Sequence, residues 1–538
     1  MNGGSPLGSW DVAIILVYVV VIIAIGLAVS RRQSTASDYF LAHKSKTWPV
    51  IGLALLASNI SSTTLIGLAG AAYDHGIAVF DYEWMAGVVL VFFCIFLLPF
   101  LLKTGVYTTP EFLERRYDRR SRLLFSGLTL FLNIAVDTAG TLYGGALMFQ
   151  LAFPAVPMGV IVLLLALGAG IYTTAGGLAA VMVTETIQAV LLLTAAAVIA
   201  VMAFNQAGGW DVVMAATKPE MLSLIRPASD PVLPWTGLVT GVPLIGFYFW
   251  CTNQFMVQRV LSAKSIDHGR WGCLFAGLLK LPVLFLMVLP GTAALLLFPG
   301  LPRGDLVYPS LVFKLLPTGV VGLVVAGFLA AIMSATASTF NSASTLVTMD
   351  FVRLRWPHLG EKRLVATGRL ATLAFMGLAV LWAPQIARFG SLWQYLQAIL
   401  AYAVPPVVAL FLVGLFWTRA NATGAFAAFA GGLALGLGLF VYCVVLGNGG
   451  PHFLLMAPLL VLASAVILVV VSLLTSDATA KDQGAKEGGA KEGAALVWTP
   501  AVFRAETATL AGQPLWMNYR VLSVGLLALT AVLVWWFR

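Results

Sequence analysis

The residues whose types and spacing could do chemistry are concentrated in one apolar stretch near the start of the chain, residues 49–73. Its centre carries six hydroxyl and amide side chains: Ser58, Asn59, Ser61, Ser62, Thr63 and Thr64. A segment that crosses a bilayer must satisfy its backbone polar groups internally. The polar centre therefore predicts a helix broken at mid-membrane, whose freed carbonyls coordinate a cation beside a solute. The alternative is that these small residues serve helix packing only.

Ionisable side chains inside the other apolar segments mark further candidate sites, because charge in a bilayer is costly. They are Glu83, Asp137, Glu185 and Lys280. We interpret Glu83 and Asp137 as candidate solute or ion ligands. Glu185 and Lys280 are explained equally well as interfacial groups or members of structural ion pairs.

A line of hydroxyls lies on a later segment, where Ser334, Ser338 and Ser342 recur every four residues and so share one helix face. Hydroxyl oxygens suit a weakly held hard cation. A tightly packed membrane helix would carry the same small residues.

The amino-acid composition indicates which kind of secondary structure positions these residues. The 538 residues are 60% hydrophobic and 10% charged, with a mean hydropathy of +0.95, which excludes a water-soluble globule and indicates an all-α polytopic membrane protein. The net charge of +9 needs no nucleic-acid partner, because the basic residues cluster in short loops between apolar segments. The four cysteines lack metal-ligand spacing.

Apolar periodicity predicts about fourteen transmembrane helices. They lie near residues 10–30, 48–73, 80–102, 122–150, 157–173, 178–205, 233–255, 269–298, 309–340, 365–385, 390–418, 421–447, 452–475 and 518–537. Most of the 31 Lys and Arg residues fall on one side if both termini are outside the cytoplasm. We expect an integral protein of the bacterial inner (cytoplasmic) membrane with that orientation.

One hydrophilic segment, residues 476–517, has low-complexity character and reads as a flexible or weakly helical cytoplasmic linker. No connection is long enough for a separate catalytic or signalling domain. Function is therefore expected between the helices.

Several ordered blocks carry a resemblance to a known family. They are Asp38-Tyr-Phe-Leu-Ala, Ala57-Ser-Asn-Ile-Ser, Tyr82-Glu-Trp-Met, residues 107–117, Gly176-Gly-Leu-Ala-Ala-Val, Asn253-Gln254, Gln258-Arg259, Lys280, residues 340–350 and Leu415-Phe-Trp. The chain resembles the sodium:solute symporter family, in particular the sodium/glucose cotransporter branch and its bacterial sodium/galactose relatives. The resemblance covers nearly the whole length.

The resemblance implies a five-plus-five inverted repeat with broken first helices. The expected parts are an extra helix and loop at 1–47, a first repeat at 48–205, an extracytoplasmic loop at 206–232, a second repeat at 233–418, two peripheral helices at 419–475, the linker at 476–517 and a last helix at 518–538.

For the ion, the resemblance implies sodium held by oxygens of four residues: Ala57, Ile60, Ala331 and Ser334. The family usually has a second serine where this chain has Ala335, so one hydroxyl ligand is missing unless Thr336 or water replaces it. Some relatives hold a second ion at positions that correspond to Glu185, Ser334 and Ser338.

For the solute, the resemblance implies that a neutral sugar contacts Asn59, Glu83, Lys280 and Gln397, with aromatic cover from Tyr82, Phe249, Trp250 and Trp393. Thr64, Ala86, Gly246 and Phe249 differ from the galactose-transporting relative, so the sugar itself can differ.

The expected function is therefore sodium-coupled uptake of a small polar solute, most simply a sugar, by alternating access. No enzyme motif and no organic cofactor are expected. Proton coupling through a buried Asp137 stays open, as do a carboxylate or amino-acid solute and a transport-dead membrane sensor.

Overall fold

The computed structural model describes residues 7–30, 35–388, 392–475 and 496–538; at Asp38, in 387–388 and 392–395, and at residue 398, side chains fall outside that description. The described chain is helical, and its only strand-type pairing is an isolated bridge between Lys46 and Ala263. This confirms the all-α membrane fold class.

The principal helices are numbered in chain order. They are α1 (Ser9–Ser30), α2 (Trp48–Asn59), α3 (Ser62–His75), α4 (Ile77–Thr104), α5 (Arg119–Ala152), α6 (Met158–Gln206), α7 (Trp235–Phe247), α8 (Gln254–Leu261), α9 (Ile266–Leu297), α10 (Val320–Arg355), α11 (Glu361–Ile386), α12 (Leu392–Ala403), α13 (Pro405–Phe416), α14 (Ala422–Val445), α15 (Phe453–Leu474), α16 (Pro500–Leu510) and α17 (Tyr519–Trp536). Short unnumbered helices include Ala36–Leu41, Thr109–Arg116, Trp210–Ala216 and Val307–Leu315.

Ten of the described helices are long and apolar enough to cross a membrane, and an eleventh span results if α2 and α3, bent by 64°, count as one. The sequence-based number of fourteen is larger for two reasons. It divides α6 into two segments, and it includes α7 and the α12–α13 pair, whose helices are shorter.

The division of α6 has a structural basis at Gly177, whose φ of 54° interrupts the helix. Gly168 packs beside Met333, and Ala195 packs beside Gly327. In a straight helix residues 168 and 195 would be about 40 Å apart, whereas residues 327 and 333 of α10 are separated by only about 9 Å. The two parts of α6 therefore run antiparallel along α10.

The predicted break in the first polar stretch is present. Ile60 and Ser61 adopt extended backbone conformations between α2 and α3, and Ser61 and Thr64 form a capping box at the start of α3. A second break separates α7, which continues as a π-helix over Tyr248–Thr252, from α8. Asn253 is extended there, with φ −65° and ψ 128°, and caps α8.

The predicted segment 309–340 needs correction, because it joins two separate helices. The helix Val307–Leu315 ends before Gly319, which has a φ of 87°, and α10 then begins at Val320. The Asp11 carboxylate of α1 accepts hydrogen bonds from the backbone N–H groups of Gly319 and Gly322, both at 2.7 Å. This satisfies donors at the α10 N-terminus and attaches α1 to it.

The interpretation of residues 476–517 as a linker is corrected for its second half. Residues 476–495 lie outside the described ranges, but residues 496–517 include α16 and are packed on the protein. The Trp498 backbone N–H donates to Leu415 O at 2.8 Å, and the Trp498 ring contacts Phe96. Glu506 of α16 pairs with Arg270 and Arg520. Hydrophobic and ionic contacts thus hold this segment in place.

Candidate functional site

The candidate cation site lies where the end of α2 meets α10. The Ser334 hydroxyl donates to Ala57 O at 2.9 Å, so the structure brings these two predicted ligands together. Ile60 lies at the chain break one turn beyond Ala57, and Ala331 lies one turn before Ser334. A helix end leaves carbonyl oxygens without intrahelical donors, and such oxygens suit a hard cation.

Thr336 is not positioned to replace the missing hydroxyl at this site. Two residues along a helix rotate a side chain by about 200°, so Thr336 and Ser334 face opposite sides of α10. Ala335, by contrast, lines the neighbouring cavity. The hydroxyl that is absent at Ala335 would therefore point to the cavity side of α10, where there is space for an oxygen.

Glu185, a predicted second-ion residue, is engaged in a fully buried ion pair with Arg259. The Arg259 Nε donates to Glu185 Oε2 at 3.1 Å, and the hydroxyls of Ser58 and Ser338 lie 3.0 and 2.6 Å from Glu185 Oε1. Arg259 also donates to the Ser338 hydroxyl at 2.5 Å. A cation bound here would have to displace the guanidinium, so the geometry favours the structural interpretation of Glu185.

A cavity of about 160 Å³, here called the binding cavity, lies beside the break. Seven of the nine predicted solute residues line it: Asn59, Thr64, Tyr82, Glu83, Phe249, Trp250 and Gln397. Asp137 lines it too. The eighth solute residue, Lys280, lies behind the wall, and the Trp393 side chain lies outside the described residues.

Lys280 organises one wall of the binding cavity. Its ammonium group is buried, donates to Asn59 Oδ1 and Glu83 Oε2, and lies 5.6 Å from the centre of the Trp250 ring. It therefore offsets the charge of Glu83 and fixes an amide and a carboxylate side by side. Such a pair can accept from and donate to adjacent hydroxyls.

Gln397 of α12 supplies a polar group on another side of the cavity. Its Oε1 atom is buried and has no hydrogen-bond partner among the described residues. A buried acceptor without a donor is costly, so a solute hydroxyl that reached it would gain a hydrogen bond.

A second cavity of about 180 Å³, the vestibule, shares the Tyr82 wall with the binding cavity. The segment 226–233 borders it, and there Arg226 Nε lies 3.1 Å from Asp230 Oδ2. Partial burial opposes ionisation of Asp230, but the N–H groups of Leu233 and Val232, together with Arg226, hold the pKa of that carboxyl below its ordinary value. Tyr82 thus lies between the binding cavity and a second cavity that is bordered by an ion pair.

Other residues of the site were not identified from sequence. Apolar and hydroxyl side chains that complete the cavity wall are Val136, Thr141, Val242, Ile245, Phe255, Thr339, Leu396 and Leu400. Arg259 belongs to one of the sequence blocks that carry the family resemblance. It also lies just beyond a predicted transmembrane segment, where basic residues usually set the membrane topology. The buried ion pair between Arg122 and Asp350 was not predicted either, because Arg122 follows a run of basic residues that is typical of a short loop between membrane segments.

Comparison with known proteins identifies the family. The model described as "Sodium:solute symporter family" matches residues 39–432. Sodium/glucose cotransporter 1 of Mus musculus is 34% identical over 522 residues, covering 86% of this chain and 78% of that protein. Sodium/glucose cotransporter 2 of Rattus norvegicus is 36% identical over 490 residues, covering 82% and 72%. The sodium/mannose cotransporter of Bos taurus is 35% identical over 472 residues, covering 80% and 79%.

Solved structures show the same fold. A Na⁺-coupled sialic acid symporter in a substrate-bound outward-open state superposes with a TM-score of 0.78 at 22% identity, covering 87% of this chain and 98% of that chain. A nucleobase-cation-symport-1 family transporter in a closed conformation superposes with a TM-score of 0.56 at 14% identity, covering 83% and 96%. The chain is a sodium-coupled solute transporter rather than an enzyme, and it belongs to the sodium:solute symporter family.

Proposed function

We propose that the protein imports a small neutral polar solute, a sugar, together with sodium by alternating access. One observation carries this proposal: the broken helix α2–α3 contributes both to the candidate cation site and to the binding cavity. Ala57 O accepts a hydrogen bond from Ser334 just before the break, while Asn59 before it and Thr64 after it line the cavity. An ion that orders this break would also order the solute wall, which couples the two binding events.

The chemistry of the cavity supports a sugar. Its wall combines hydrogen-bonding groups, including Asn59, Glu83 and Gln397, with the rings of Phe249 and Trp250. Hydroxyls need acceptors and donors, whereas the apolar faces of a pyranose ring pack on aromatic rings. The three curated relatives above are named as glucose and mannose cotransporters.

For the moving parts we propose the inverted repeats 48–205 and 233–418. In support, each half begins with a broken helix, and π-helical turns occur at matching places. In the first half, α4 contains the π-helical turn Phe93–Leu97, which is followed by Pro99. In the second half, α9 contains the π-helical turn Leu284–Val288, which is followed by Pro290. A second pair of π turns lies at Asn133–Thr138 and Val347–Val352. Rocking of one half against the other would alternate access.

The proposed orientation places both termini outside the cytoplasm of a bacterium, with the basic loops inside. The inward sodium gradient then drives uptake, with roughly 2.3 kcal/mol per charge for each 100 mV of membrane potential. Single cysteines at residues 228 and 358, tested with an impermeant maleimide in intact cells, check this orientation. Labelling is expected at residue 228 only, and labelling at residue 358 only would reverse the assignment.

A proton-coupled transporter of the same fold is the second candidate. It is favoured by Asp137, a carboxylate that lines the cavity and takes part in no hydrogen bond or ion pair among the described residues. Proteoliposomes separate the two candidates: labelled glucose, galactose and mannose are supplied under an imposed sodium gradient at constant pH, and then under a pH gradient without sodium. Uptake in the first condition alone supports sodium coupling. Uptake that is driven by the pH gradient without sodium, and that disappears in Asp137→Asn, would establish proton coupling.

The solute class is tested with the same liposomes. A panel of sugars, organic acids and amino acids is screened for solute-driven entry of radioactive sodium. Sodium entry driven by a sugar supports the proposal. Entry driven only by a carboxylate or an amino acid would overturn the sugar assignment, and solute binding without sodium movement would indicate a sensor.

A further inference from the structure

Asp137 is held at the wall of the binding cavity by an unusual turn. It belongs to the π-helical segment Asn133–Thr138 in the middle of α5. Both ends of this segment are tied to α10: the hydroxyls of Thr138 and Thr339 are 2.6 Å apart, and Asn133 Nδ2 donates to Ser342 Oγ at 3.1 Å. A π turn inside an α-helix changes the direction of its side chains and often occurs at functional sites. The orientation of the Asp137 side chain toward the cavity is thus fixed by the hydrogen bonds of Asn133 and Thr138 to α10.

The charges around the cavity do not balance. Among the described residues that line it, the only ionisable acids are Glu83 and Asp137, and none is Lys, Arg or His. The nearest cation, Lys280, is committed to Glu83 and Asn59 from behind the wall. Asp137 therefore presents a carboxylate to the solute that no cationic side chain of the described wall compensates.

We propose that Asp137 is a solute-recognition residue that makes the cavity accept neutral polyhydroxylated solutes and reject anionic ones. Its two oxygens accept hydrogen bonds from neighbouring hydroxyls of the solute. A solute carboxylate in the same place would lack those donors and would meet a like charge in a confined, poorly hydrated space. This inference rests on the proposed sugar transport and names the class of sugar that the site accepts.

The test uses matched pairs of competitors that differ in charge and little in shape. Glucuronate and galacturonate are each compared with their uncharged amides as inhibitors of sodium-driven uptake of the transported hexose in proteoliposomes. The variants are Asp137→Asn, which removes the charge at nearly constant size, and Asp137→Ser as a second variant in case the first folds poorly. Asp81→Asn is the control, because Asp81 is buried, accepts from the Trp84 indole N–H at 2.7 Å and does not line the cavity.

In the wild type and in Asp81→Asn, each amide is expected to inhibit at least tenfold more strongly than its uronate. In Asp137→Asn or Asp137→Ser this ratio should fall below about threefold, while the sodium concentration for half-maximal uptake stays within about twofold of wild type. An unchanged ratio in both Asp137 variants, or an equal fall in Asp81→Asn, overturns the inference. Absence of sodium-driven uptake of any hexose by the wild type overturns the proposed function instead, so the two failures are distinguishable.

Discussion

Two carboxylates, Glu185 and Glu83, are each paired with a cation next to the broken helix, but their surroundings differ. The Glu185–Arg259 pair is fully buried, and the hydroxyls of Ser58 and Ser338 occupy the remaining space around it. The Glu83 side chain is 9% exposed and opens into the binding cavity, while its partner Lys280 is shared with Asn59. The first pair is closed off from any ligand by its complete burial, whereas the second presents part of its carboxylate to a solute. Of these two acids, only the partly accessible Glu83 is therefore positioned to meet a solute.

The largest effect is expected from breaking the closed pair. Arg259→Ala leaves the Glu185 carboxylate buried without a cation, which costs about 3–5 kcal/mol of folding free energy. We expect a large fall in the melting temperature of the purified protein, measured by intrinsic fluorescence in detergent. Lys280→Ala is the comparison, because water can reach Glu83 through the cavity. Equal losses in the two variants would contradict the distinction between the pairs.

Breaking the open site should affect transport far more than the fold. Glu83→Ala and Gln397→Ala each remove a group that bonds a solute hydroxyl, which costs about 1–3 kcal/mol, or roughly tenfold or more in affinity. Uptake is expected to be lost or severely weakened at largely unchanged expression, and the melting temperature should fall far less than in Arg259→Ala. The transport assay in proteoliposomes with the hexose panel measures this. Near-normal uptake by both variants would remove these residues from the solute site.

A smaller change is expected at the cation site. Ala335→Ser adds an oxygen next to Ser334 on the cavity side of α10, and hard cations accept oxygens of any origin. The sodium concentration for half-maximal uptake should fall severalfold, and it should rise in Ser334→Ala. Sodium titrations of initial uptake rates at constant pH provide the measurement. Identical titrations in wild type and both variants would place the ion elsewhere.

The smallest effect concerns a third acid, Glu506 of α16, which pairs with Arg270 and Arg520 at the protein surface. Burial opposes its ionisation, but the hydrogen bond from Tyr519 and the charge of Arg270 hold the pKa of Glu506 below its ordinary value. Its stabilising effect is therefore complete above pH 4.3 or so, the unfolded value, and is lost as the pH falls through the lower folded value. Glu506→Gln should destabilise docking of α16 by about 1 kcal/mol or less at pH 7.

Limited proteolysis near residues 496–510 is the readout for that variant. Wild type should be cleaved more slowly than Glu506→Gln at pH 7, and the two rates should converge only as the pH falls through the lowered folded pKa of Glu506, measured with an acid-active protease. A difference that persists below the folded pKa of Glu506 would contradict the ion-pair explanation.

Sequence reasoning located the broken helix because polar residues stand out against an apolar background, and the family resemblance named seven solute residues that line the cavity. It could not assign partners. Arg259 follows Gln258 near the end of a predicted span, where basic residues usually set topology, and only the packing of α8 against α6 and α10 shows that Glu185 neutralises it. Thr336 has a suitable hydroxyl group, but its position two residues along the helix turns it away from Ser334. The docked α16 was missed because a low-complexity stretch precedes it.

Gly177 has a consequence for how this chain can vary and how it can be labelled. The added Cβ of any other residue would lie 2.4 Å from Tyr39 O, in a backbone conformation that L side chains avoid. Connections between helices usually contain several residues and tolerate insertions, yet here two antiparallel helices reverse at one residue packed against a tyrosine. Epitopes, fluorophore sites and inserted domains therefore belong in other connections, such as the exposed residues 356–358 between α10 and α11. At 174–178 an insertion of even one residue would rotate one helix of the pair by about 100° and turn its buried face outward.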